Sequence, residues 1–286
     1  TEGSELKNTS KISRNRWYSH VKLRKIGLLT AWLYSSLLVI WLLLHALVGD
    51  RIWWLALVST FAPYLFSPLV LLVPLGFVTS SYRYWGAILL AAAIFLLEYG
   101  LLLHFEVLED AKTTDSITVM SFNIWGYSES AETAQAIVAL DTPDVVALQE
   151  LSPHMARILV EELGHVYPYR LLQPKEGADG RGVLSRYPLT DASASAPSAL
   201  NSFAQVVKVA INERMVTLYN VHLAPTIVFH YLEGNASVAE GVHTSFDTRE
   251  HQVTQLIGAL DRRGPVIVAG DFNTTDQSDV YSLLVR

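Results

Sequence analysis

Four short stretches each place polar side chains directly after an apolar run. They are Ser121-Phe122-Asn123, Leu148-Gln149-Glu150, Asn220-Val221-His222-Leu223 and Gly270-Asp271-Phe272-Asn273. In the last, Val266 to Ala269 are apolar, Gly270 follows, and Asp271 and Asn273 stand two positions apart. Side chains at i and i+2 leave a strand on the same face, so this pair projects together from a strand end. A carboxylate beside an amide oxygen suits a hard cation and a phosphate oxygen. Each stretch alone also has a purely structural reading. Gly-Asp-Phe-Asn could be a strand ending in a polar turn. Asn123 could cap a turn, Glu150 could cap the helix opening at Ser152, and His222 could be a satisfied core histidine. Four strand ends of one chemical kind point further, because strand ends of an α/β sheet gather at one rim where ligands bind.

The elements that must position these residues are legible in outline. Residues 117–123 alternate between two faces and predict a strand. Residues 131–140 have helical spacing, and Asp144 to Glu150 is a second buried strand. Ser152-Pro153 opens a helix with an N-cap and a proline at its first position, and Gly164 can close it. Further strands are expected at 169–172, 182–185, 205–211 and 215–221, with Asn212-Glu213 as a hairpin turn. A helix is expected over about 248–260, before the strand that ends at Asp271. Residues 191–202 read as a loop. Residues 224–247 read as an inserted loop, a lid or a membrane-facing segment. Hairpins mixed with strand-helix-strand units predict an α/β fold whose sheet is not purely parallel.

At these residues the sequence resembles the endonuclease/exonuclease/phosphatase superfamily, whose fold is that of deoxyribonuclease I. The motifs are Ser-Phe-Asn-Ile-Trp (121–125), Leu-Gln-Glu (148–150), Gly-Val-Leu-Ser-Arg-Tyr-Pro-Leu (182–189), Asn-Val-His-Leu (220–223) and Gly-Asp-Phe-Asn (270–273). Arg249 and Gln252 fit the pattern as well, and the resemblance covers 117–286. It implies a four-layer α/β sandwich of two mixed sheets and hydrolysis of a phosphate ester by an activated water. It also implies roles. Glu150 is the main ligand of Mg²⁺ or Mn²⁺, assisted by Asn123. Asp271 orients or deprotonates the attacking water, Asn273 holds the phosphate, and His222 binds the phosphate or protonates the leaving oxygen. Ser185-Arg186-Tyr187-Pro188 is expected to be structural, a turn before a strand. The family's last strand carries an Asp-His pair that this chain lacks before Arg286, since Asp279 is followed by Val280. The reading therefore treats 117–286 as C-terminally incomplete and expects weak activity from it alone.

Composition bounds the rest. The 286 residues include no cysteine, which excludes disulfides, thiolate metal sites and a cysteine nucleophile. Apolar residues make up 51%, and the excess lies before residue 106. Residues 1–26 are a basic tail. Three uncharged or nearly uncharged runs follow within 27–105: Gly27 to Gly49, Ile52 to Val78, and Trp85 to Phe105 with Glu98 its only formal charge. Each is long enough to cross a bilayer core of ~30 Å, so an all-α segment of three transmembrane helices is expected. The second run carries Pro63, Pro68 and Pro74, which leaves a broken or re-entrant segment open. Glu98 and His104 are the polar exceptions, expected to be structural. Residues 106–116 read as a linker.

With the basic tail and Arg83 inside, the expectation is an integral protein of a bacterial inner membrane with its catalytic domain outside the cytoplasm, similar to the membrane-anchored bacterial branch of the superfamily. The expected partners are the lipid bilayer and a phosphate-ester substrate; no feature points to a protein partner. From residue 106 onward, 12 Lys and Arg face 23 Asp and Glu. That acidic balance lacks the field of a non-specific nucleic-acid binder and favours a lipid head group or a small ester over duplex DNA. The alternative is a binding module of the same fold that is catalytically inactive and tethered to a membrane. A transporter with a globular tail would need more spans and paired intramembrane charges.

Overall fold

The computed structural model describes residues 2–79, 81–100, 116–128, 130, 132–139, 142–226 and 237–285. The chain divides into two compact units, Thr1–Glu109 and Asp110–Arg286.

The first unit is helical. Helix α1 (Glu2–Val48) runs through both the basic tail and the first apolar run. Lys, Arg and Leu are good helix formers, and nothing between them breaks the helix. The second run is not one helix. It divides into α2 (Trp53–Thr60), a 3₁₀ turn at Ala62–Phe66 and α3 (Leu69–Thr79). Pro63 sits in the first turn of the 3₁₀ segment, where its missing N–H costs little, and Pro68 immediately precedes α3. Helix α4 (Tyr82–Tyr99) takes up the third run, and residues 101–105, with His104, lie outside the described residues.

Buried polar atoms tie these helices together. The Ser35 hydroxyl donates to Ala87 O at 2.7 Å, Tyr84 to Leu72 O at 2.7 Å, and Trp41 Nε1 to Ser59 Oγ at 3.2 Å. Of the three expected spans, the third run extends into residues outside the described ones. Among the described residues, Arg24–Arg51 and Ala62–Thr79 are long and apolar enough to cross a membrane. A buried core helix or a signal sequence meets the same criterion.

The second unit is α/β with two mixed sheets. The first contains β1 (Val119–Asn123), β2 (Val145–Gln149), β3 (Tyr169–Gln173) and β4 (Arg181–Ser185), in the order β1-β2-β4-β3. The second contains β5 (Leu189–Asp191), β6 (Ala204–Ile211), β7 (Arg214–His222) and β8 (Val266–Asp271), in that order. Only β1/β2 and β7/β8 are parallel. Asn212 and Glu213, both at positive φ, make the β6–β7 turn, the conformation a two-residue hairpin needs.

Period-two alternation sorts the side chains into layers. Val146, Leu148 and Leu184 pack on α5 (Glu132–Ala139) and α6 (Pro153–Leu163) through Ile137, Met155 and Leu159. Val145, Val183, Val207, Val209 and Leu218 fill the space between the sheets. Val206, Tyr219 and Val221 pack on α7 (Val238–Ala259) and α8 (Asp279–Leu284) through Val253, Leu256 and Val280. The result is four layers, helix–sheet–sheet–helix. Ser152 caps α6 by accepting from Met155 N at 3.1 Å. Helix α7 begins ten residues earlier than the apolar spacing suggested, so part of the expected loop 224–247 is helix; residues 227–236 lie outside the described residues.

Candidate active site

The two parallel pairs bring the polar strand ends together. In β1/β2 the paired register sets Asn123 against Gln149, and in β7/β8 it sets His222 against Asp271. Parallel neighbours end on the same side. Alternation places Asn123 on the face of Val119, Asp271 on the face of Ile267 and Ala269, and His222 on the face of Leu218. All of those apolar residues belong to the layer between the sheets. The four ends therefore meet at the mouth of the crevice between the two sheets.

One amide joins them. Asn123 Nδ2 donates to Glu150 Oε1 at 2.9 Å and to Asp271 Oδ2 at 2.8 Å, so a single NH₂ spans carboxylates carried by different sheets. Its orientation is fixed from the other side, because Asn123 Oδ1 accepts from Trp125 N at 3.0 Å. The second oxygen of Glu150 accepts from Gly126 N at 3.0 Å. The other oxygen of Asp271 accepts from Asn273 N at 2.9 Å, and Asn273 Nδ2 donates to Leu223 O at 2.8 Å. His222 Nδ1 lies 3.1 Å from Ala178 O. A carbonyl only accepts, so Nδ1 carries the hydrogen in that contact. Nε2 is buried without a hydrogen bond, 3.7 Å from Glu150 Oε1.

The backbone is bent to reach this arrangement. Trp125, Glu150 and Asn273 have φ of 58°, 57° and 46°. Non-glycine residues seldom adopt such values, and they cluster where a site over-determines the chain. Gly270 has φ 150°, and a Cβ there would lie 1.9 Å from Val221 O, so no other residue fits beside β7.

Support comes from beneath and beside. Between the sheets, Gln149 Nε2 donates to Asn220 Oδ1 at 2.7 Å, and Asn220 Nδ2 donates to Leu148 O at 2.9 Å and Gly182 O at 3.1 Å. Arg249 Nη1 donates to Ala224 O and the Thr226 hydroxyl, and Gln252 Oε1 accepts from Ala224 N at 2.9 Å. These two residues brace the segment leaving β7 just after His222. Buried Arg181, whose guanidinium pKa burial pulls below its ordinary value, donates to Asn201 O and Ser202 O. Arg186 pairs with Asp144 at 3.3 Å across the turn after β4.

Sequence reasoning passed over Gly126 and Ala178, which act through backbone atoms. The only signal was the glycine at each place: a Cβ on Gly126 would lie 2.2 Å from Gly177 O. The role of Gln149 and Asn220 as a buried amide pair was also not drawn, although both lie inside the quoted motifs.

The donors suit a hard divalent cation. They are carboxylate oxygens on a half-buried rim, and Mg²⁺ takes one or two such groups and keeps its waters. Among the described residues no group of three or more His, Cys, Asp or Glu is placed to hold a metal.

Residues 120–286 match the endonuclease/exonuclease/phosphatase family. The chain belongs to that family. A curated relative, the uncharacterized protein F14F9.5 of Caenorhabditis elegans, is 26% identical over 185 residues, which is 58% of this chain and 56% of the relative. The chain thus spans just over half the length of that curated relative. Among solved structures, sphingomyelinase C from Streptomyces griseocarneus aligns at 19% identity and a TM-score of 0.45, over 59% of this chain and 68% of that one. A humanized D. rerio TDP2 aligns at 19% and 0.41, over 56% and 63%. A beta toxin from Staphylococcus aureus with bound magnesium ions aligns at 14% and 0.43, over 59% and 69%. These likenesses are too distant to carry a substrate or a mechanism to this family member.

Proposed function

We propose that this protein hydrolyses a phosphate ester, diester or monoester, with Mg²⁺ or Mn²⁺ held through Glu150. The observation that carries the reading is the single Asn123 amide joined to both Glu150 and Asp271, with His222 beside them. Family membership supplies the reaction class. A cation bound at Glu150 supplies positive charge against the charge developing on the phosphorus oxygens.

The chain's own residues do the rest. Asp271, fixed by Asn273 N and Asn123, orients the attacking water and takes its proton. His222 gives its Nδ1 hydrogen to Ala178 O, so its Nε2 serves a phosphate oxygen or the leaving oxygen when it is protonated as well. Asn273 spends one amide hydrogen on Leu223 O and offers the other to the phosphate. Asn123 serves the metal by setting the position of the Glu150 carboxylate, since its NH₂ faces the carboxylates and its oxygen accepts from Trp125 N.

The first unit is proposed to anchor the enzyme in a membrane. The two apolar stretches turn Leu29, Leu47, Val70, Leu71 and Phe77 outward, and α4 does the same with Leu97. A helix buried in a soluble core would not leave such side chains outward. The acidic second half favours a lipid head group or small ester over a nucleic acid.

The test is a panel of phospholipid, small-ester and nucleic-acid substrates assayed on the full chain, with Mg²⁺ and with a chelator. Turnover of one class that the chelator abolishes is expected. No turnover of any class would leave the inactive binding module as the better account.

A further inference from the structure

The N-terminal end of α4, beside the middle of α1, carries a basic cleft of about 370 Å³, lined by Arg24, Lys25 and Leu28 of α1 and by Ser81, Tyr82 and Arg83 at the start of α4. Among the described residues no acidic side chain lines it. Among the described residues none of its three cations takes part in an ion pair. Arg83 is held over the cleft by its neighbour: Nε donates to the Tyr82 hydroxyl at 3.1 Å and the guanidinium lies 5.6 Å from that ring. Ser81 stands at the N-cap of α4 without a side-chain cap bond, so its hydroxyl and the first amides of an 18-residue helix also remain available.

The two helices run side by side in the same direction away from this end. Gly27 lies against Tyr84, Ser35 bonds Ala87 O, and Leu38 and Trp41 share a cluster with Ala91 and Ile94. Asp50 and Glu98 sit at the opposite end of these two helices, Asp50 about 39 Å from Arg24 by the helical rise. Below the cleft the outward surface turns apolar at once, with Leu29, Leu33 and Leu89 exposed.

Three uncompensated cations over an apolar wall match a ligand with an anionic phosphate at its head and hydrocarbon behind it. We infer that this cleft binds the phosphate of an anionic phospholipid head group, with the acyl chains lying along Leu29, Leu33 and Leu89. The phosphate is the recognised group, and a free phosphate ester shares that chemistry. The site belongs to the first unit and the catalytic rim to the second, and it does not depend on the phosphoesterase reading. It does rest on the helical unit meeting a bilayer.

The experiment uses the full chain in a neutral detergent, titrated with short-chain phosphatidylglycerol, with phosphatidylcholine of the same chain length, and with inorganic phosphate, read by native mass spectrometry and thermal melting. Phosphatidylglycerol is expected to bind and raise the melting temperature, with phosphatidylcholine much weaker. The variant R24Q/K25Q/R83Q is expected to bind phosphatidylglycerol weaker by roughly fivefold per charge removed. R24K/R83K keeps the charges and is expected to retain most of the binding, which separates charge from folding. Inorganic phosphate binding as tightly as the lipid, and lost in the triple variant, would keep the anion site and assign it to a free phosphate. Equal binding of both lipids, or unchanged binding by a folded triple variant, would overturn the inference.

Discussion

At the scale of single residues, Asn123 does the most with the least. An asparagine after a strand is an ordinary turn former, and its oxygen does form that turn with Trp125 N. Its NH₂ also holds two carboxylates that would otherwise repel at close range. Asn123→Ala is expected to lower turnover on the order of 100-fold, the scale lost when one well-placed donor is removed. Its stability should fall by only about 1 kcal/mol, because the site is half-exposed. Steady-state rates beside a denaturant melt check both halves, and a fall in stability with rates intact would contradict this role. Gly270 is the opposite case, a residue whose value is its lack of a side chain. Gly270→Ala puts a Cβ against Val221 O, a backbone atom that cannot swing aside. A loss of about 3 kcal/mol is expected, at the upper end for overpacking, and a melt at wild-type temperature would show that β8 shifts freely.

At the scale of elements, the parallel pairing of β1 with β2 and of β7 with β8 makes four distant motifs neighbours. Much of this was legible. Alternation marked β6 and β7, the Ser152-Pro153 pair marked α6, and the polar residue after each apolar run marked the rim. What escaped had physical reasons. The start of α7 is rich in polar and small residues, so no apolar stripe announces it, and its cap, Ser237, is one serine among many. Contacts made by backbone atoms, at Gly126 and Ala178, leave no side-chain signature.

The amide pair between the sheets invites its own test. Asn220→Ala removes one of the two partners of Gln149 Nε2, which keeps Ala147 O, and the amide donor to two buried carbonyls, so a loss of roughly 2–4 kcal/mol is expected by chemical denaturation, while Asn220→Asp should be at least as harmful. In the turn before β8, hydrogen bonds from the Arg263 side chain and backbone pull the Asp261 carboxyl from 3.8 to about 2. A depressed carboxyl contributes stability above its unfolded pKa and loses it as pH falls through the folded one. Asp261→Asn should therefore flatten the decline in stability between about pH 4 and pH 2. The difference will be small, since the pair is fully exposed, and an identical acid limb in both proteins would remove any linkage at this turn.

At the scale of the whole molecule, the chain joins a helical unit with an apolar outer surface to a family domain whose polar residues converge on one rim. Each unit shows in the composition: the apolar excess lies before residue 106 and the acidic balance after it. If the proposed phosphoesterase is held at a membrane, the full chain is expected to stay with membranes through an alkaline carbonate wash and to leave them only with detergent. Release by carbonate alone would reassign the two apolar stretches to a soluble core. The chemistry is tested most directly by the Mg²⁺-dependent rate of phosphate-ester hydrolysis measured for the full chain and for Glu150→Ala at several Mg²⁺ concentrations. The rim described above predicts that the variant loses at least about 100-fold in rate and that added Mg²⁺ does not restore it. A Glu150→Ala protein that hydrolyses the same ester at the wild-type rate, with the same Mg²⁺ dependence, would contradict it.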